Sequence, residues 1–296
     1  MNAPLATATA PPTHSPIARL PNEAAVIEQV GRENFPVALR VLPSATRTHL
    51  MAIYGFARLV DDAGDEASGD RAELLDAIEC DLDALGSGRV PAHPLVARLA
   101  PTMRECALPL EPFRNLVEAN RRDQIVARYA THEELLGYCA LSAAPIGRLV
   151  LHVFGVATAE RFRLSDEICA ALQLVEHWQD VAEDFGRGRI YLPAEDRARF
   201  GVTEEHLAEA RAGSALRDLL GFEVSRTRAR LARGQGLVGT LSGNARLAVA
   251  GFVGGGHAAL DSIERVGFDV LSSTPQTRRR DVLRHACSTW WWGGAR

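Results

Sequence analysis

Apolar and polar positions recur along this chain with the period of an α-helix over nearly its whole length. A first short helix is predicted over 22–34. After Pro36 a longer one carries Val37, Leu39, Leu42, Leu50, Ile53, Tyr54 and Ala57, with a break expected at Pro43. Further apolar stripes predict helices over 70–85, 94–106 and 111–128. Another is expected over 132–154, kinked at Pro145 because proline cannot donate to the preceding turn. The next, over 164–185, opens with Ser165 as N-cap and with Asp166 and Glu167 in its first turn. A loop from Gly186 to Pro193 separates it from helices over 203–211, 214–233, 240–266 and 276–287. No alternating strand pattern, no repeat of fixed period and no linker interrupts 22–288. The expectation is one all-α domain over 21–288, between a disordered Ala/Pro/Thr-rich tail at 1–20 and a short tail at 289–296.

Two acidic clusters sit inside these apolar patterns. They are Asp61-Asp62-Ala63-Gly64-Asp65-Glu66 and Glu176-His177-Trp178-Gln179-Asp180-Val181-Ala182-Glu183-Asp184. Asp61 and Asp65 are four apart, as are Asp180 and Asp184, so an unbroken helix would stack each pair on one face. Like charges so placed cost a helix roughly 0.2–0.5 kcal/mol, and more when partly buried. Hard divalent cations are the natural compensation. Gln173, Glu176, Asp180 and Asp184 form a polar stripe with His177 beside it, and Arg58 precedes Asp61 by one turn. If the two helices face each other, Mg²⁺ bridging Asp61, Asp62, Asp65, Glu176, Asp180 and Asp184 would bind diphosphate oxygens. Arg58, Arg187 and Arg189 would then grip the same phosphates. A solvated helix face explains one such pair; two pairs, both set among apolar residues and flanked by arginine, point to metal-bridged diphosphate chemistry.

Composition narrows the chemistry further. The chain has 296 residues, 47% hydrophobic and 24% charged, with a formal net charge of −4, which offers no case for nucleic-acid binding. All 33 basic side chains are arginine, so neither a Schiff-base lysine nor a P-loop lysine exists. The five cysteines are widely spaced without a CxxC pair, as expected of reduced thiols in a cytosolic protein. The first twenty residues lack the basic start and apolar core of a signal peptide, and no transmembrane helix is expected.

The stretches Tyr54-Gly-Phe-Ala-Arg58-Leu-Val-Asp61-Asp62-Ala-Gly-Asp65, Gln179-Asp180-Val-Ala-Glu-Asp184-Phe and Gly188-Arg189-Ile190-Tyr191-Leu192-Pro193 resemble the squalene/phytoene synthase family. The likeness extends over roughly 25–285. It implies an isoprenoid-synthase helical bundle with a central apolar cavity, a prenyl-diphosphate substrate and Mg²⁺. Glu33-Asn34-Phe35-Pro36, Tyr138-Cys-Ala-Leu-Ser142-Ala-Ala-Pro145-Ile-Gly147-Arg148 and Trp178-Gln179-Asp180 look most like the bacterial hydroxysqualene synthase branch of the hopanoid pathway. That branch implies ionisation of presqualene diphosphate, rearrangement of the cation, and capture by water without a reductant. It also implies a functional link to a presqualene diphosphate synthase and a hydroxysqualene reductase. On this reading Asp61, Asp65, Asp180, Asp184 and Tyr54 are catalytic, while Phe35, Arg58, Gln173, His177, Arg187 and Arg189 bind substrate. The chain departs from the family at Glu176, where relatives usually place Asn, and at Ala140, where enzymes that couple two farnesyl diphosphates often have tyrosine. Ala140 is expected to suit an enzyme that skips the coupling step.

Other features carry two readings each. Asp123 and Arg128 form either a pair near the pocket or a surface ion pair. His177 relays a proton or only supports the acidic stripe, and Tyr54 lines the pocket or belongs to the core. The glycines at 251 and 254–256 bind phosphate or allow close helix packing. Arg278-Arg279-Arg280 with Trp290-Trp291-Trp292 allow peripheral contact with an anionic membrane, or are a solvated helix start and a sticky tail. Two further functions compete with the leading one: coupling of two allylic diphosphates to squalene, dehydrosqualene or phytoene, and a non-catalytic lipid-binding assembly role.

Overall fold

Most of the expected helices form, but several are broken where the sequence pattern runs on without interruption. The computed structural model describes residue 20 and residues 41–67 and 69–292. The helix predicted at 22–34, Phe35 and the tail at 1–19 lie outside the described residues. Helix α1 (Ser44–Asp61) starts directly after Pro43, the residue predicted to end its predecessor. It passes into a π-helical segment, Asp62–Glu66. Helix α2 (Arg71–Gly86) is capped by the Asp70 carboxylate, which accepts from the amides of Ala72 and Glu73. The stretch predicted at 94–106 is divided at Arg98 into α3 (Pro94–Ala97) and α4 (Leu99–Cys106). Helix α5 (Glu111–Asp123) stops five residues short of its predicted end.

The stretch at 132–154 forms α6 (His132–Ser142) and α7 (Ala144–Val153), so the kink expected at Pro145 is a full break at Ala143. Together the two helices are long and apolar enough to span a membrane by length and composition alone. Leu135, Tyr138, Cys139, Leu149 and Leu151 are instead buried in the protein interior. Helix α8 (Ala159–Gln179) begins five residues earlier than predicted, because Thr158 is its N-cap and accepts from the amide of Arg161. Ser165 is buried within the helix.

After α9 (Val181–Gly186) come α10 (Ala194–Phe200), which the apolar pattern does not predict, and the short α11 (Glu204–Leu207). Helices α12 (Ser214–Gly234), α13 (Gly236–Gly239), α14 (Gly243–Arg265) and α15 (Arg279–Trp292) complete the chain. Helix α15 therefore continues through Trp290 and Trp291, beyond the predicted end at 287. Among the described residues there is no strand, only an isolated parallel bridge between Arg128 and Ile190.

Two apolar cores hold these helices. In one, Phe56, Leu59 and Val60 of α1 pack with Leu74, Leu75 and Ile78 of α2 and Phe113 of α5; the Phe56 and Phe113 rings meet edge to face at 5.1 Å. In the other, Leu174, Val175 and Trp178 of α8 pack with α12 and α14. Helix α15 runs antiparallel along α14, where a Cβ on Gly254 would stand 2.6 Å from the backbone nitrogen of Ala286. Close helix packing is thus what Gly254 serves. The first acidic cluster leaves one core and the second leaves the other.

Candidate active site

Both acidic pairs lie at irregular turns, where the stacking expected on a continuous helix is relieved. At the end of α1 the ladder widens to an i,i+5 bond, with the Ala67 amide donating to the Asp62 carbonyl at 2.8 Å. Asp61 Oδ1 accepts from Asn120 Nδ2 of α5 at 3.2 Å. Gly64 makes that approach feasible, since a Cβ there would fall 2.1 Å from Asn120 Oδ1. Asp62 is buried and ion-paired one turn back with Arg58, Nη2 to Oδ1 2.7 Å.

At the second cluster, α8 ends at Gln179 and Asp180 takes a non-helical conformation (φ −103°, ψ 17°) before α9 begins. Gly188, at φ +80°, then reverses the chain, a conformation a side chain would strain. The returning segment is pinned by the Ile190 amide donating to the Ala127 carbonyl at 2.8 Å and by Arg128 Nη1 donating to the Gly188 carbonyl at 3.1 Å. Arg189 is thereby delivered to Asp65, Nη2 to Oδ1 2.7 Å.

A cavity of about 290 Å³ opens between these segments. Asp61 and Asp65 form one wall, and Gln173, Glu176, His177, Asp180 and Asp184 the opposite one. Arg187, Arg189 and Tyr191 close it from the loop. The structure thus brings together most of the predicted site residues. Tyr54, Arg58 and Asp62 are not among the lining residues: Tyr54 packs half-buried on the first core, and Arg58 and Asp62 pair with each other. Arg58 nevertheless stands close enough to Asp61 to lower its carboxyl electrostatically. Ala140 is exposed on α6 and also outside the lining.

Of the remaining walls, the sequence pointed only to Asp123, as one of a pair near the pocket, and gave no site role to Asn120, Tyr138 or Ser142. Asn120 and Asp123 line the cavity from α5, and Tyr138 and Ser142 from α6. Asp123 Oδ2 accepts from the Tyr138 hydroxyl at 2.7 Å, while Arg128 binds both carboxylate oxygens of Glu204 at 2.7 and 2.8 Å. The proposed Asp123–Arg128 pair does not form. Asn120 and Asp123, one turn apart on the same face, were the signal available.

Burial shapes the electrostatics. Asp61 keeps open surface toward the cavity, yet the protein surrounding it pushes its carboxyl up to about 6, against the Asn120 hydrogen bond and Arg58. Burial, then the charge of Asp180, raises Asp184 to about 7, and burial raises Asp123 to about 6. Burial works against the Arg189 charge, but the hydrogen bond to Asp65 together with the charges of Tyr191, Asp65 and Asp123 raises the guanidinium further and keeps it protonated. His177 is pushed down to about 3 by burial and is therefore neutral; its ring stacks on Tyr191 at 3.6 Å.

The donors are all carboxylate oxygens, and burial holds those of Asp61, Asp180 and Asp184 above their usual range, which suits a hard cation. Among the described residues, no three His, Cys, Asp or Glu side chains converge on one point. The carboxylates stand on opposed walls instead. That fits Mg²⁺, which is commonly bound through one or two carboxylates and completed by phosphate oxygens and water.

Comparison with known proteins agrees with this geometry. The family model described as squalene/phytoene synthase matches residues 29–283. A hydroxysqualene synthase from Zymomonas mobilis is 32% identical over 220 residues, covering 73% of each chain. A phytoene synthase from Arthrospira platensis is 31% identical over 255 residues, covering 81% of this chain and 82% of that one. Among solved structures, a squalene synthase, HpnC, from Alicyclobacillus acidocaldarius is 39% identical with a TM-score of 0.76, covering 86% of this chain and 98% of that one.

Proposed function

The chain belongs to the squalene/phytoene synthase family, and from that premise we propose that it converts presqualene diphosphate and water to hydroxysqualene and diphosphate. One observation carries the reading: the carboxylates of both acidic segments line a single cavity, with Arg189 from the loop bonded to Asp65. The similarity to a hydroxysqualene synthase supports the choice of branch.

In this reaction the ester C–O bond breaks with its electron pair leaving on the diphosphate. The cyclopropylcarbinyl cation opens, and a water oxygen bonds to it and sheds a proton. Asp61 and Asp65 on one side, and Asp180, Asp184 and Glu176 on the other, are the groups that would hold Mg²⁺. When bound, Mg²⁺ supplies the positive charge that makes diphosphate a competent leaving group. Arg189 and Arg187 orient the diphosphate from the loop side, and Arg189 adds a fixed charge where negative charge grows. Asn120 holds Asp61 in place. The Tyr138 hydroxyl, directed to Asp123, lies beside the cavity, where it orders polar groups near the cation.

The test is incubation with Mg²⁺ and presqualene diphosphate without a nicotinamide reductant, with the product identified by mass. Hydroxysqualene, lost on adding a chelator, is the expected result. A second reading, coupling of two allylic diphosphates, has the phytoene synthase similarity in its favour. Consumption of farnesyl or geranylgeranyl diphosphate, with presqualene diphosphate untouched, would select it.

A further inference from the structure

The outward face of α15 has no role in the chemistry above. Arg280, Leu283, Cys287 and Trp291 follow one another at helical steps of three and four, with Arg284 beside Leu283, and all five are exposed. Leu283 is 61% and Trp291 76% exposed, unusual for side chains of this size. Trp290, at 37%, sits at the edge of the same strip with the Arg246 guanidinium 4.8 Å over its ring. Beside this apolar strip runs a basic one begun by Arg278 and Arg279, both exposed. The acids near it are engaged within the fold: Asp281 is buried and bound by Arg265 at 2.7 Å, with Arg280 3.9 Å away, and Asp261 is bound by His285, Arg228 and Arg284. A chain of net charge −4 thus concentrates positive charge next to exposed leucine and tryptophan.

We propose that this face of α15 docks on the surface of an anionic lipid bilayer. Leu283, Cys287 and Trp291 enter the headgroup boundary, and Arg278, Arg279 and Arg280 meet the lipid phosphates. The pattern is that of a helix lying in the interface plane, with basic residues on the polar side and Trp and Leu on the other. Tryptophan favours this depth because its ring is apolar and its N–H still finds a partner. The basic end of the helix is also tied to the second acidic cluster. Gln179, the neighbour of Asp180, donates to the Pro275 carbonyl at 2.9 Å and to Ser262 Oγ at 3.1 Å. Docking would therefore hold α8 and the site in a defined relation to the membrane that contains apolar substrates and products.

The experiment is co-sedimentation of the full chain with vesicles of phosphatidylcholine alone and with about 30% phosphatidylglycerol. Tryptophan emission is followed in parallel. Binding to the anionic vesicles only, a blue shift on binding, and loss on raising salt are expected. Leu283→Glu with Trp291→Glu should weaken binding by roughly tenfold or more, as should Arg279→Glu with Arg280→Glu. All four side chains are exposed, so unchanged circular dichroism melts verify folding of both variants. No binding, equal binding to neutral vesicles, or full retention by both double variants would overturn the proposal. So would a concentration-dependent dimer abolished by Trp291→Glu in a protein that ignores vesicles, which would assign the face to a second copy. The readout is lipid binding, so it stands or falls independently of which diphosphate the enzyme consumes.

Discussion

Arg189 and Asp65, 124 positions apart, meet at 2.7 Å and bind the second acidic segment to the first. The pair is partly exposed, so its contribution to stability is small, about 1 kcal/mol or less. Its importance is to the cavity, which it bridges at the mouth. Arg189→Gln should leave the melting temperature within a few degrees of wild type. It should lower kcat/KM by roughly 10- to 100-fold, the worth of one charge-assisted phosphate contact. Steady-state kinetics beside a thermal melt check both halves of this expectation.

The raised carboxyls of Asp61 and Asp184 mean that the metal-free fold carries charge it would be more stable without. Asp61→Asn and Asp184→Asn should therefore unfold at the same or higher temperature than wild type in chelator at neutral pH. Both should lose the additional stabilisation that Mg²⁺ with inorganic diphosphate confers on wild type. A pair of melts for each protein decides it; variants still stabilised by Mg²⁺ and diphosphate would remove these residues from the metal set.

Gly64 allows Asn120 to reach Asp61. Gly64→Ala would drive a methyl into the Asn120 amide and should destabilise by about 1–3 kcal/mol while cutting turnover. Adding Asn120→Ala removes the obstacle, so the double variant should recover most of the stability but not the activity. Denaturant titration and product assay on the three variants separate these effects.

His257 is pushed down to about 4 from an ordinary 6.5, chiefly by burial and then by the charge of His285. Below 6.5 the unfolded chain takes up a proton that the folded chain refuses until about 4. Stability is therefore lost as pH falls through that window. The loss from this residue should be about 1–2 kcal/mol between about pH 7 and pH 5. His257→Gln, which keeps a polar group near Gln235, should remove that part of the pH dependence. Urea midpoints at the two pH values provide the comparison.

The sequence by itself determined the all-α class, because apolar stripes of period 3.6 can bury their faces only as packed helices. It also determined the two acidic clusters, since buried like charges four residues apart need an outside reason. The positions of Asp180, Asp184, Gln173 and His177 around one cavity were legible for the same reason: helical periodicity orients neighbours on one element. Only the tertiary structure decided which carboxylates reach that cavity. Asp62 lies between Asp61 and Asp65 in sequence, yet it sits in a π-helical turn, pairs with Arg58 and is not among the lining residues. Pro145 announced the break at Ala143, whereas the local pattern carried little sign of those at Asp62 and Asp180. The partners from α5 and α6, Asn120 to Asp61 and Tyr138 to Asp123, depend on how helices distant in sequence cross. Periodicity tells which face of a helix is buried, but not which residue of another helix it will meet.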